Sequence, residues 1–251
     1  MSDALLATAG LTKRFGGLVA NDAIDLAVRR GGLHAIIGPN GAGKTTLIGQ
    51  LSGQLRPDSG TVHFAGEDIT HLPAHARAQR GFGRSFQITN VVAEMTALDN
   101  VALAVQAHDG HSFRFWRSAR LDQGLRAPAQ AILARLQLDQ RADLPVSRLS
   151  HGEKRVLEIG MALAGRPQLL LLDEPLAGTG PEESARIVRL LDAIKAETTI
   201  LLIEHDMDAV FALADAVSVL VYGRIIASGT PAAIRQNPDV QKAYLGDEEG
   251  A

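Results

Sequence analysis

Residues 38–46 read GPNGAGKTT, with glycines at 38, 41 and 43 followed at once by a lysine and two threonines. The stretch fits G-x-x-x-x-G-K-[ST], with Gly38, Gly43, Lys44 and Thr45 at the fixed positions. A triphosphate needs several backbone N–H groups aimed at one point. Glycine permits the dihedrals this requires and lets the backbone come close. Both flanks suit such a loop. LHAIIG (33–38) is a short apolar run ending in glycine, as a buried strand would. KTTLIGQLSGQL (44–55) places apolar residues at helical spacing, and RPDSG (56–60) is turn chemistry. A helix opening near Lys44 offers unpaired N–H groups and the positive end of its dipole. Gly38, Pro39, Asn40, Gly41, Ala42, Gly43, Lys44, Thr45 and Thr46 are therefore expected to cradle phosphates. Lys44 would reach the β- and γ-phosphates, and the Thr45 hydroxyl would hold Mg2+. TVHFAG (61–66) returns to strand character, so strand, loop and helix are expected to start a βαβ unit.

The rest of the 251 residues bounds what such a loop can serve. Hydrophobic residues make up 46% and charged residues 21%, an ordinary globular balance in a chain long enough to bury a sizeable core. With no cysteine, disulfides and thiolate metal sites are excluded, which suits the cytosol. A net charge of −3 gives no electrostatic reason to expect nucleic acid as a partner. LLLL (169–172) and SVLVY (218–222) fall far short of a membrane span, and MSDALLATAG does not resemble a signal peptide. Any membrane role is expected to go through a partner.

QLLLLDEP (168–175), TILLIEHD (199–206) and AVSVLVYGRIIASG (216–229) follow later. The first two are near-continuous apolar strands ending in carboxylates, the pattern of buried parallel strands. Helices are expected over 181–197, with Pro181 at the start and Glu182 and Glu183 in the first turn, and over 206–216. These parts make an open α/β sheet. From about 90 to 165 only helices are expected, as a subdomain inserted into that core. Segment 108–124 mixes aromatics with arginines without clear period, and the tail GDEEGA is expected to be disordered.

Asp173 and Glu174 stand at the end of LLLLDEP. Asp173 is expected to bind Mg2+ through water, and Glu174 to polarise the attacking water as general base. DEP alone also fits a solvated acidic turn; joined to the phosphate loop, that reading recedes. His205, ending the next strand, would hydrogen-bond the γ-phosphate if the strand order brings it there. His71 and His75 straddle Pro73, and His108 and His111 flank a glycine, so neither pair resembles a metal site.

The phosphate loop leaves many NTPases open. A switch GTPase should carry N-K-x-D, and none occurs. LSHGEKRVLEIGMAL (149–163), just upstream of LLLLDEP, resembles the L-S-G-G-Q signature of ABC ATPases. With Gln87 in RSFQ, LAGTGPEE after the carboxylates and His205, the ordered motif set spans Leu6 to Gly246. The resemblance implies an α/β P-loop cassette over 1–251. It would have a RecA-like core (about 1–88 and 163–251), an antiparallel β-subdomain and an inserted helical subdomain (about 89–162). It implies ATP and Mg2+ as ligands, Gln87 on Mg2+, and Phe15 stacked on adenine with Val19 beside it. It also implies a second cassette, self or paralogue, whose bound nucleotide is met by Ser150 and the Gly152 amide. Ser150 is in any case a good N-cap for its own helix.

Two departures stand out. His151 replaces the first signature glycine and Glu153 stands where Gln is commonest; an acidic side chain facing phosphate is unfavourable, so Glu153 should turn away or pair, with Lys154 or Arg155. GTGP (178–181) replaces the usual Ala-Leu-Asp, so the aspartate that the resemblance gives a cross-dimer contact is missing. GRSFQITNVVAEMTALDNV and VQKAYLG resemble the branch serving uptake of hydrophobic amino acids and amides. The implied role is the ATPase of an importer on the cytoplasmic membrane face, partnered by permeases and indirectly by a periplasmic solute-binding protein. A soluble cassette acting in translation or DNA repair is the alternative, but usually carries tandem cassettes or long coiled-coil insertions. A non-hydrolytic binding module would not need Glu174.

Overall fold

The computed structural model describes residues 4–84, 91–108 and 122–245. In chain order the elements are β1 (Ala4–Phe15), β2 (Leu18–Arg29), β3 (Leu33–Ile37), α1 (Lys44–Ser52), β4 (Ser59–Phe64), β5 (Glu67–Asp68), α2 (Ala74–Gln79) and β6 (Phe82–Arg84). Then come α3 (Ala97–His108), α4 (Gln123–Arg135), α5 (His151–Leu163), β7 (Leu169–Asp173), α6 (Pro181–Ile194), β8 (Thr199–Ile203) and α7 (Met207–Leu213). β9 (Ala216–Val221), β10 (Arg224–Gly229), α8 (Pro231–Arg235) and α9 (Pro238–Leu245) complete the order.

Two sheets result. One has the order β10-β9-β3-β8-β7-β6, parallel except for the β9–β10 hairpin at its edge. The other is antiparallel, in the order β2-β1-β4-β5. Every residue of β3, β7 and β8 is buried. The reason is that both faces of the six-stranded sheet are covered. Ala35, Ile37, Leu170, Leu172, Ile200 and Leu202 pack with the helices, including α3, α5 and α6. Their neighbours Ile36, Leu169, Leu171, Leu201 and Ile203 face the other way, onto α1 and the antiparallel sheet. A strand covered on both faces loses the apolar–polar alternation, which is why these three were legible as apolar runs.

The strand after α1 is a correction. TVHFAG does not continue a βαβ unit: β4 pairs antiparallel with β1, Leu6 opposite Phe64, and β3 takes its parallel neighbours β8 and β9 from the far end of the chain. The alternating burial of β4 fits a strand with one covered face.

Arg77 of α2 fixes the end of α1. It is almost wholly buried, and its guanidinium donates to the carbonyls of Gln50 and Leu51, at 2.8 and 2.6 Å, and to those of Thr70 and Leu72, each at 3.0 Å. Late helical carbonyls have no intrahelical partners, and a cation there also suits the helix dipole. The helix that starts at the phosphate loop is thereby anchored at its opposite end.

Candidate active site

The loop needs its glycines. A Cβ at Gly38 would lie 2.0 Å from the Leu220 carbonyl oxygen, and one at Gly43 (φ 103°) 2.3 Å from that of Ala20. Gly43 also begins α1 without a side-chain cap, so the amides that a helix start leaves unpaired receive nothing from a cap. Lys44 is buried, and its Nζ donates to the Gly38 and Pro39 carbonyls at 2.6 and 3.0 Å. Burial lowers the pKa of this amine, while the charges of Glu174 and Asp173 work to raise it. The loop forms one wall of a cleft of about 410 Å3, whose other walls include Phe15, Leu18, Val19, Glu174 and Tyr222. Phe15 is half exposed, with Lys13 Nζ 5.7 Å from its ring centroid. The structure thus brings Phe15 and Val19 to the same cleft as Asn40–Thr46.

Asp173 ends β7 and is buried; Arg84 Nη2 stands 4.0 Å from its Oδ2. That oxygen accepts no hydrogen bond, although it is inaccessible to solvent. Desolvation raises the Asp173 pKa, and the charge of Arg84 partly offsets this. A buried carboxylate oxygen without a hydrogen bond, beside the phosphate loop, is an acceptor that a hard cation or its water would satisfy, so the residues present fit Mg2+.

Glu174 follows in the left-handed region (φ 47°) and its side chain lines the cleft. Its amide donates to the Ile203 carbonyl at 2.9 Å. His205 is 63% exposed at its side chain, with Nδ1 3.9 Å from Glu174 Oε1. Glu204, passed over in the sequence reading, holds the two together. Fully buried, its carboxylate accepts from the Leu176 amide at 2.8 Å and the His205 amide at 3.0 Å. It therefore ties the loop after β7 to the loop after β8. The buried run ILLI (200–203) before it gives one signal: an acid so close to a buried strand end needs donors.

Ser150 and Gly152 lie outside this cleft, at the start of α5. Ser150 Oγ accepts from the Glu153 amide at 3.1 Å, and Glu153 Oε2 accepts from the Ser150 amide at 2.9 Å. This capping box decides where Glu153 points. Its other oxygen accepts from Arg141 Nε at 3.1 Å, so its ionic partner is Arg141 and not Lys154 or Arg155. Ser150 Oγ donates to Glu183 Oε1 of α6 at 3.0 Å, and a Cβ at Gly152 would lie 2.4 Å from Glu183 Cδ. In the departing loop Thr179 Oγ1 donates to the Leu176 carbonyl at 2.7 Å. Gln87, most of segment 108–124 and the tail lie outside the described residues. Among the described residues no helix is long and apolar enough to cross a membrane.

Comparison with known proteins gives the family. Residues 21–177 match the family of ABC transporters, and residues 224–250 match the family described as branched-chain amino acid ATP-binding cassette transporter. The chain is similar to the high-affinity branched-chain amino acid transport ATP-binding protein BraF of Pseudomonas aeruginosa, 39% identical over 98% of this chain and 100% of that one. It is 38% identical to the corresponding protein LivG of Escherichia coli, over 98% of this chain and 100% of that one. Among solved structures, the ADP conformation of MJ1267, an ATP-binding cassette of an ABC transporter, superimposes with a TM-score of 0.86 at 32% identity, covering 97% of this chain and 99% of that one.

Proposed function

The chain belongs to the ABC transporter family, as an ATPase cassette of its branched-chain amino acid branch, and from that premise we propose that it powers uptake of branched-chain or other hydrophobic amino acids, or related small solutes, across a membrane. The observation that supports this best is the single cleft shared by the phosphate loop, Phe15, Val19 and Glu174, with His205 beside Glu174.

In this reading the loop amides and Lys44 take the ATP phosphates; two of the three Lys44 Nζ donors are used on the Gly38 and Pro39 carbonyls, which leaves one for a phosphate oxygen. Phe15 and Val19 take the adenine. Glu174 removes a proton from the attacking water, and His205 hydrogen-bonds the γ-phosphate. Mg2+, held by Thr45, by Asp173 through water and by Gln87, would neutralise charge on the phosphates. Ser150 and the Gly152 amide meet the nucleotide bound to a second cassette, self or paralogue, so two chains close on two ATP. Permease subunits dock the pair to the cytoplasmic membrane face, and a solute-binding protein delivers cargo to them. A soluble cassette without permeases is not favoured, since the relatives are transport ATP-binding proteins over their full length.

Glu174→Gln is the direct test. It keeps the side chain's size and removes its basicity, so phosphate release should fall by at least about a hundredfold, and the chain should elute as a dimer with MgATP. Unimpaired phosphate release would sink the proposal, and a monomeric elution with MgATP would exclude pairing with itself and leave a paralogue as the second cassette.

A further inference from the structure

The β9–β10 hairpin turns through only two residues, Tyr222 and Gly223, between the paired Val221 and Arg224. Both are left-handed, with φ of 47° and 78°. Two such residues make the type I′ turn, which favours Asn or Asp ahead of Gly. A tyrosine at the first position carries a steric cost that asparagine largely avoids. Burial does not offset it, because Tyr222 is 85% exposed.

The turn is fastened to the phosphate-loop cleft on two sides. The Gly223 amide donates to the Ala42 carbonyl at 2.9 Å, and the Asp22 amide donates to the Gly223 carbonyl at 2.8 Å. A Cβ at Gly223 would lie 2.8 Å from the Ala20 carbonyl oxygen, so loop, β2 and turn are packed without slack. Tyr222 lines the cleft with Phe15 and Leu18. Six large hydrophobic side chains are exposed among the described residues, and these are three of them. Singly exposed apolar side chains need no explanation, but several around one cleft mark a binding surface.

We propose that Tyr222 is a base-contacting residue of the nucleotide cleft. With Phe15 and Leu18 it forms a collar that takes up the purine while the loop takes the phosphates. The inference rests on the reading of that loop as a triphosphate site. Stacking on a phenol ring uses the π-face that every base has, so Tyr222 adds affinity without selecting adenine over guanine. The strain in the turn is then the cost of placing an aromatic ring where the fold alone would place asparagine.

The test is calorimetric titration of the full chain with MgATP and, separately, with tripolyphosphate, which has no base. Tyr222→Asn suits the turn and should leave thermal stability unchanged or higher. It should weaken ATP about five- to tenfold, while tripolyphosphate stays within about twofold of the parent chain. Tyr222→Phe keeps the ring and should bind both ligands like the parent. An ATP affinity for Tyr222→Asn within about twofold of the parent, or an equal loss for both ligands, overturns the role of Tyr222. The underlying site fails separately, if the parent chain binds neither ligand or if Lys44→Ala binds both undiminished.

Discussion

At the scale of single residues, function and stability pull apart at Glu174. A glutamate in the left-handed region is strained by about 1–2 kcal/mol, and the Glu174 amide is held there by the Ile203 carbonyl. Asparagine tolerates that backbone. Glu174→Asn should raise the unfolding free energy by up to about 1 kcal/mol and still abolish phosphate release; a loss of stability in chemical denaturation would contradict the strain. His34 is the acid-sensitive point of the core. It is buried in β3 with Nε2 2.9 Å from Ser218 Oγ, and desolvation pushes its pKa down to about 4. The unfolded chain takes up this proton near pH 6.5 and the folded chain only near 4, so stability falls as the pH drops through that window. The loss should reach about 2–3 kcal/mol. Urea titrations between pH 7 and 4.5 should show that slope in the parent chain and a shallower one in His34→Gln.

Among elements, α1 is held at both ends by groups outside the helix itself. Its start is the glycine loop, and its end is Arg77 of α2. Arg77→Met keeps the bulk but takes the guanidinium donors from four carbonyls, of which that of Gln50 still keeps the Gly53 amide, and should cost about 3 kcal/mol or more, read as a lowered denaturation midpoint at unchanged slope. A midpoint within error of the parent would show that the carbonyls find other donors. AHARAQ is made mostly of good helix formers but shows no apolar face, because its one buried residue is charged. The same physics separates the legible strands from the hidden ones. β3, β7 and β8 are buried throughout and mostly apolar because both faces are covered, whereas β1 alternates in part and is broken by a register shift around Gly10. β4 was misassigned to a βαβ unit because a strand after a helix resembles one, and only its alternation pointed elsewhere. In the site, the loop and the Asp173–Glu174 pair were readable from contiguous residues. Glu204, Tyr222 and Glu183 were not, since each acts on a segment far away in the chain.

For the whole molecule, the two expected halves of the nucleotide site lie apart. Lys44 and Glu174 share one cleft, while Ser150 and Gly152 sit at the start of α5, in contact with Glu183. A cassette working alone would therefore leave its bound nucleotide open on one side. Phosphate release per chain should rise with protein concentration until pairing saturates; a rate independent of concentration over a hundredfold dilution range would point to a complete single-chain site.

The strand order also governs how the chain is made. β3 leaves the ribosome early, yet its two sheet neighbours, β8 and β9, are among the last strands synthesised. At translation rates of about 5–20 residues per second, its apolar residues wait on the order of ten seconds or more for both edges to be paired. The nascent cassette thus carries an unpartnered apolar strand through most of its birth, open to aggregation until the C-terminal third emerges.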